Sequence, residues 1–156
     1  MLMAGSAAIG ITTHLRGGHA IDARLEQYEH CERMRVASHS GDYILAELAL
    51  SAADQERGLR DRDALAADGG MVFIFPEPVL PDFWMNGVAF PLDLIFVAPG
   101  GAVLEVHRSA RPGSVDLITP SGPIIAAVET APGRFADLSP GTQLGFDCAE
   151  GERSPT

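Results

Sequence analysis

Asp93 is an acidic residue inside an apolar segment, Pro-Leu-Asp-Leu-Ile-Phe at 91–96. If this segment is a strand, side chains alternate between its two faces, so that Asp93 shares a face with Ile95 and Val97. A carboxylate on a buried face needs a partner, because an unpaired buried charge costs several kcal/mol or more. We therefore predict that Asp93 points inward and meets an arginine, a row of backbone N–H groups, or a cavity that holds water or a ligand.

Two arginines on a predicted helix could supply that partner. Arg62 lies three residues beyond Leu59, near the inward stripe of the helix, and Arg57 precedes it on the same segment. A guanidinium group presents a planar fork to carboxylates and phosphates, so Asp93 with Arg62 or Arg57 predicts a polar pair facing a ligand. The alternative is a buried ion pair that only fixes a strand against a helix.

Glu105 and His107 are two residues apart on a predicted strand and therefore share a face. With Arg111 nearby, they could form an acid/base or metal-binding edge. A catalytic zinc site usually has three protein ligands, and no third ligand can be placed here. A solvated face of an antiparallel sheet produces the same alternation without any function.

Trp84 could stack against a sugar or another flat ligand, although an aromatic residue beside a core strand also packs there without a function. Glu129 lies on a strand face with Ile125 and Ala127. Together with Asp93, it could supply the two carboxylates of a glycosidase, a chemistry that depends on their separation.

Local catalytic signatures are missing from the sequence: it contains no G-x-S-x-G, H-E-x-x-H, glycine-rich phosphate loop or EF-hand loop. The absence favours binding over catalysis.

Four of the five histidines, His14, His19, His30 and His39, lie near the start of the chain, but their spacing matches no metal-ligand template. We expect neither a metal nor a cofactor.

The charge of the chain also narrows its partners. All eleven basic residues are Arg and the formal net charge is −10. The lack of Lys excludes P-loop, Schiff-base and Ser-x-x-Lys mechanisms. Because nucleic-acid binding relies on basic residues that replace condensed counterions, a nucleic-acid partner is not expected.

Cys31 and Cys148 form no C-x-x-C pattern, so the spacing indicates neither a zinc site nor a disulfide framework, and a single bridge between them stays open.

The apolar opening at 1–11 lacks a basic region, is too short for a membrane span and is incomplete as a signal peptide. We expect a cytoplasmic protein without stable membrane insertion. An exported protein whose start is misassigned is the alternative.

Three parts of the chain differ in composition. Residues 1–41 are expected to be an N-terminal extension, in part disordered, and 149–156 a C-terminal tail. The part between them, 42–148, has short apolar runs separated by Gly and Pro and is expected to form one β-rich domain.

Within that domain, Ser51 should cap a helix that runs to about Arg62. Strands are predicted at 43–50, 71–75, 82–86, 92–98, 102–108, 124–130 and 142–147, with a hairpin turn at 99–101 and a short helix in 131–138. This pattern predicts a mainly β fold: a distorted β-sandwich or partly open β-barrel with one or two short helices.

Several segments in this order resemble the bacterial and archaeal family called domain of unknown function 192: ELALSAADQERGLRDR, GMVFIFPEP, FWMNGVAFPLDLIF, AVLEVHRSARP and PIIAAVETAPGRFADLSPG. The resemblance covers roughly residues 44–147 and implies a compact, mainly β domain with no established activity. Where the family usually reads F-W-M-K-N-T, Met85 is followed here by Asn86, Gly87 and Val88. The family's R-G-L-M-x-R has Arg60 in place of its Met.

These observations together favour a non-catalytic β domain that binds a small polar ligand, or a segment of another protein, near Trp84, Asp93 and Arg62. One alternative is a hydrolase that uses Asp93, Glu105, His107 or Glu129 as acid and base, for example on a carbohydrate. Another is a structural or interaction module that acts through its surface.

Overall fold

A computed structural model describes residue 21 and residues 24–149 of the chain. Its regular elements are a 3-10 helix at Leu25–Tyr28, the helix α1 at Ala52–Arg57, and seven strands. The strands are β1 Arg33–Ala37, β2 Tyr43–Ala49, β3 Gly69–Val79, β4 Leu92–Val97, β5 Val103–Ala110, β6 Ile124–Thr130 and β7 Gly145–Ala149. The predicted mainly β class is confirmed.

The seven strands form one mixed sheet in the order β5-β4-β6-β3-β2-β1-β7. Strands β2 and β3 are parallel, and α1 lies in the connection between them, while the other neighbouring pairs are antiparallel. The sheet is not closed, because its edge strands β5 and β7 are not paired with each other. An isolated bridge between Ala102 and Gln143 joins the segments that precede these two strands.

Both faces of the sheet are buried, so the domain has two apolar cores. We call the first core the cluster that includes Met34, Ile44, Val72, Ile95 and Val128, which the turns at 135–138 also cover. The second core contains Met71, Phe73, Leu94, Phe96 and Ala127 of the sheet, and the segments around Leu59 and at 83–88 cover it. Strands buried on both faces carry apolar side chains almost continuously, which explains the unbroken burial of β4 and β6.

The predicted hairpin at 99–101 is confirmed between β4 and β5. Gly100 and Gly101 have φ of +100° and +90°, conformations that glycine adopts without steric cost. The hairpin pairs Leu94 with His107 and Phe96 with Glu105, so Glu105 and His107 share a face as predicted. Irregular register between Leu92 and Leu94 marks a bulge opposite Asp93.

The predicted helix is shorter than expected. Ser51 caps it, accepting a hydrogen bond from the Asp54 backbone N–H at 3.1 Å. However, α1 ends at Arg57 because Gly58 adopts a left-handed φ of +52° and its N–H bonds back to the Asp54 carbonyl. Arg62 is therefore not a helical residue, and the helical geometry used to turn it inward does not apply.

Two further segments differ from the predictions. Residues 82–86 form no strand; Phe83 makes a single bridge with Ile118 instead. Residues 132–137 form consecutive turns rather than a helix. Both segments pack through isolated apolar residues, which satisfy a burial pattern without a regular backbone ladder.

The part of 1–41 that the structure describes is joined to the sheet. Strand β1 lies between β2 and β7 and buries Met34 and Val36, two residues apart, in the first core. Cys31 and Cys148 form a disulfide with a Cα–Cα distance of 5.3 Å, which ties the approach to β1 to β7. The expected boundary at 42 thus falls inside the sheet. The rest of the expected extension 1–41, namely 1–20 and 22–23, lies outside the described residues, as does 150–156 of the expected tail.

Candidate functional site

Asp93 is 1% exposed and lies on the face of β4 that packs in the first core, as predicted. Its Oδ2 accepts hydrogen bonds from the Arg108 guanidinium at 2.9 Å and the Gly133 N–H at 3.0 Å. Its Oδ1 accepts from the Ser109 N–H at 2.8 Å. One arginine and two backbone N–H groups therefore surround the carboxylate, which leaves it well compensated for its burial.

The predicted pairing of Asp93 with Arg62 or Arg57 is wrong. Arg62 forms a two-pronged ion pair with Glu47 of β2, at 2.6 and 2.5 Å. Hydrogen bonding to Arg62 lowers the pKa of Glu47, and the same bond raises that of Arg62. The two arginines belong to the other side of the sheet from Asp93, since the segment that carries them covers the second core.

Arg108 is the residue that the sequence interpretation missed. Besides Asp93, its guanidinium donates to the carbonyl oxygens of Phe135 at 3.0 Å and Leu138 at 3.1 Å. The ion pair thus fastens the turns at 132–138 onto the β4–β5 hairpin. Its role is structural, as in the alternative that a buried ion pair fixes one element against another, with strand and turn in place of strand and helix.

A cleft lies on the opposite face of the sheet. It has a volume of about 330 Å³ and a rim formed by α1, the turn that follows it and the segment at 81–88. Its lining includes four aromatic side chains, namely Phe73, Phe75, Phe83 and Trp84. Charged side chains of both signs share it: Glu56, Arg57, Arg60, Asp82 and Glu129. Small-molecule sites typically combine such an apolar wall with a few polar groups.

Glu129 of β6 is the buried acid of this cleft. It is 6% exposed, and it pairs in the sheet with Met71 and Leu94, two residues of the second core. Its Oε2 has no hydrogen-bond partner among the residues that the structure describes. Burial raises the pKa of Glu129 to about 8, so that the carboxyl group is mostly protonated at pH 7. Within the described part of the chain, no cation forms an ion pair with Glu129, unlike Asp93.

Trp84 and Arg60 form one side of the cleft. The Arg60 guanidinium lies 5.4 Å from the centre of the Trp84 ring, which is 44% exposed. A Cβ atom at Gly87 would lie 3.3 Å from Arg60 Cγ, so the glycine permits the close approach of the arginine stem. Arg60 and Gly87 are both positions where the chain departs from the family pattern described above, and the two departures meet here.

Four of the predicted site residues do not line the cleft: Arg62, Asp93, Glu105 and His107. Glu105 accepts a hydrogen bond from the Ser121 N–H at 3.1 Å, and His107 is exposed. Arg111 lies 3.8 Å from Asp116, and both side chains are largely exposed. The predicted acid/base or metal-binding edge is thus a solvated face of the sheet. The hydrolase hypothesis keeps only Glu129 in the cleft.

One group of side chains among the described residues has ligand atoms close enough to hold a metal ion. The atoms of His30, Cys31 and Cys148 lie within 4.8 Å of one another. The two sulfur atoms are joined in the disulfide and therefore are not thiolate ligands in this state. The sequence prediction placed no metal ligand at these three positions.

The geometry defines a β-rich domain with a small aromatic cleft over a buried acid. Residues 34–146 match the family described as uncharacterized ACR, domain of unknown function 192, and the chain belongs to this family. The predicted resemblance is thus confirmed, with β1 included in the matched region.

Two solved structures are similar to this chain. A "putative transcription regulator" from Sinorhizobium meliloti 1021 has 33% sequence identity and a TM-score of 0.66, covering 74% of this chain and 92% of its own. A protein of unknown function from Novosphingobium aromaticivorans DSM 12444 has 31% identity and a TM-score of 0.67, covering 72% and 82%. No curated protein matches the chain significantly. Across the described residues, no helix is long and apolar enough to cross a membrane.

Proposed function

We propose that this protein is a non-catalytic binding domain whose cleft takes a small polar ligand, with Glu129 at its base and Trp84 at its rim. The observation that carries the proposal is the Glu129 carboxyl group, buried and with one oxygen unpartnered, in a cleft open to solvent. Buried polar groups in proteins nearly always have a partner. A ligand that supplies the missing hydrogen bond would remove this cost.

Of the residues that the hydrolase hypothesis names as acid and base, only Glu129 lines the cleft. Asp93 is satisfied by three donors on the other face of the sheet, and Glu105 and His107 lie outside the cleft lining. The description of one relative as a transcription regulator also finds little support in the composition of this chain. A formal charge of −10 opposes binding to phosphate backbones.

The disulfide bears on where the protein acts. Disulfides persist in oxidising compartments and are rare in the cytosol. The Cys31–Cys148 bridge therefore supports the exported alternative over the cytoplasmic one.

The proposal can be tested through the only tryptophan of the chain. Because Trp84 lines the cleft, a bound ligand should change its fluorescence, and a metabolite library can be screened by this signal and by thermal shift. A ligand present at a hundred times its Kd stabilises the fold by about 2.7 kcal/mol. Ligands found by both signals should lose at least tenfold in affinity with Glu129→Ala, which removes the unpartnered carboxyl group and preserves the fluorophore.

Leu117→Ala is the matched control. Leu117 is 62% exposed and does not line the cleft, although its neighbour Ile118 is bridged to Phe83 beside Trp84. Unchanged affinity in this variant supports a small ligand confined to the cleft. Equal losses in both variants would show that the ligand does not bind specifically in the cleft, and a library without any binder would also contradict the proposal.

A further inference from the structure

We infer that the ligand of this cleft is a small organic amine with an apolar body, whose ammonium group forms an ion pair with the Glu129 carboxylate. This inference rests on the proposed function and goes further by naming the chemical class. Three independent features of the cleft favour a cation at its base over an anion or a neutral group.

The first feature is the unmet acceptor capacity of Glu129. Its Oε2 is buried without a partner, and the two arginines of the cleft do not supply one: Arg60 rests on Trp84, and no hydrogen bond joins Arg57 to Glu129. An ionised carboxylate has only acceptor sites, and an ammonium group has only donors. Once Glu129 is ionised, an amine therefore satisfies it more completely than a ligand carboxylate or a hydroxyl group can.

The second feature is the aromatic wall. Phe73, Phe75, Phe83 and Trp84 line the same cleft. Their ring faces carry partial negative charge and attract cations, more strongly where water is excluded. The same rings provide apolar contact for the body of the ligand. The volume of about 330 Å³ is at the lower end of small-molecule sites, which favours a compact molecule.

The third feature is charge. Besides Glu129, the lining contains two acids, Glu56 and Asp82, and two arginines, Arg57 and Arg60, so that ionisation of Glu129 leaves one net negative charge for a cation to neutralise. The whole chain has a formal net charge of −10, and such a field raises the local concentration of cations. The negative charge of the chain disfavours a free anion at the base of the cleft.

Protonation makes the inference measurable. Burial holds the pKa of Glu129 at about 8, so an amine that binds near pH 7 must displace a proton from the carboxyl group to the buffer. Affinity for the amine should rise about tenfold per pH unit between pH 6 and 7 and level off above pH 8. A ligand that needs the protonated carboxyl group as a donor would show the reverse dependence.

The experiment compares three probes of similar shape: phenethylamine, 3-phenylpropionate and 2-phenylethanol. Trp84 fluorescence and calorimetry at pH 6, 7 and 8, in two buffers with different ionisation enthalpies, give the Kd and the number of protons released. We expect phenethylamine to bind at least tenfold more tightly than the other two, with release of about one proton at pH 7. Glu129→Gln should abolish both the preference and the proton release.

Glu77→Gln controls for a general loss of negative charge, because Glu77 is exposed on β3 and outside the cleft lining. It should leave proton release unchanged. Because Glu56, Arg57, Arg60 and Asp82 face the same cleft, the difference between the two variants is what assigns the proton to Glu129. Tighter binding of the carboxylate or the alcohol would overturn the inference while leaving a ligand-binding cleft intact. If no amine binds and the library screen is also empty, the proposed function fails as well.

Discussion

Asp93 and Glu129 are both acids within apolar strands of one sheet, and their surroundings differ in a way that separates structure from function. Asp93 has an arginine and two backbone N–H groups around it. Glu129 has an unpartnered oxygen and a cleft. Evolution of a stable core explains the first arrangement without a ligand, because each donor offsets part of the desolvation cost. The second arrangement leaves that cost unmet in the free protein.

A double-mutant cycle tests the partner of Asp93. Asp93→Asn should destabilise the fold by about 3 kcal/mol, because it leaves Arg108 without its carboxylate and places an amide donor among other donors. The coupling free energy with Arg108→Met should be about 1–3 kcal/mol in denaturant unfolding.

The matched cycle pairs Asp93→Asn with Arg62→Met. Since Arg62 binds Glu47 and not Asp93, these two changes should be additive within about 0.5 kcal/mol. A larger coupling with Arg62 than with Arg108 would contradict the pairing of Asp93 with Arg108.

How far the sequence predicts these sites depends on the range of the interaction. The inward orientation of Asp93 follows from strand periodicity, which is local. Its partner Arg108 could also have been found, because counting outward from the predicted turn at 99–101 places residues 93 and 108 nearly opposite each other. The cleft could not have been predicted from the sequence, since it depends on how the turn after α1 and the segment at 81–88 pack over β6. Neither segment has a regular periodicity that would fix its position.

Helix α1 shows at the scale of elements that local contacts can be predicted from the sequence and longer-range ones cannot. Ser51 predicted where the helix begins, because capping is a contact within one turn. The predicted end at about Arg62 is wrong, because Gly58 has a positive φ and ends the helix instead of lying inside it. Its missing Cβ would lie 3.6 Å from the Phe73 ring, so the glycine also lies close to the cleft wall.

Gly70 sets the spacing between β3 and its neighbours. A Cβ there would collide with the Glu129 carbonyl oxygen and lie 2.7 Å from Ile44 Cδ1. Gly70→Ala should therefore destabilise the domain by about 1–3 kcal/mol, because neither the strand backbone nor the packed side chain can move away easily. Chemical denaturation measures this loss.

Gly122→Ala is the corresponding control, with Leu104 Cδ2 at 3.8 Å as the nearest contact of its new Cβ. We expect a change within about 0.5 kcal/mol. Equal effects of the two substitutions would show that loss of backbone freedom, and not the close approach of β3 and β6, determines the result.

At the scale of the whole molecule, the buried acid should make stability depend on pH. In the unfolded chain Glu129 loses its proton near its ordinary pKa of 4.5, whereas in the folded state burial raises the pKa to about 8. Between these values the folded state holds one more proton, so its stability falls as pH rises. The contribution is fully present below pH 4.5 and is lost as the pH approaches 8.

Glu129→Gln should remove this dependence while preserving the size of the side chain. Between pH 5 and 7.5, the unfolding free energy of the natural protein should fall by about 1.4 kcal/mol per pH unit relative to the variant. Urea unfolding at half-unit steps measures the difference, and other titrating groups cancel because both proteins contain them. Glu77→Gln, which changes an exposed acid, should keep the slope of the natural protein. Parallel curves for the natural protein and Glu129→Gln would mean that the carboxyl group is ionised when folded, and the uncompensated acid at the base of the cleft would then have a partner after all.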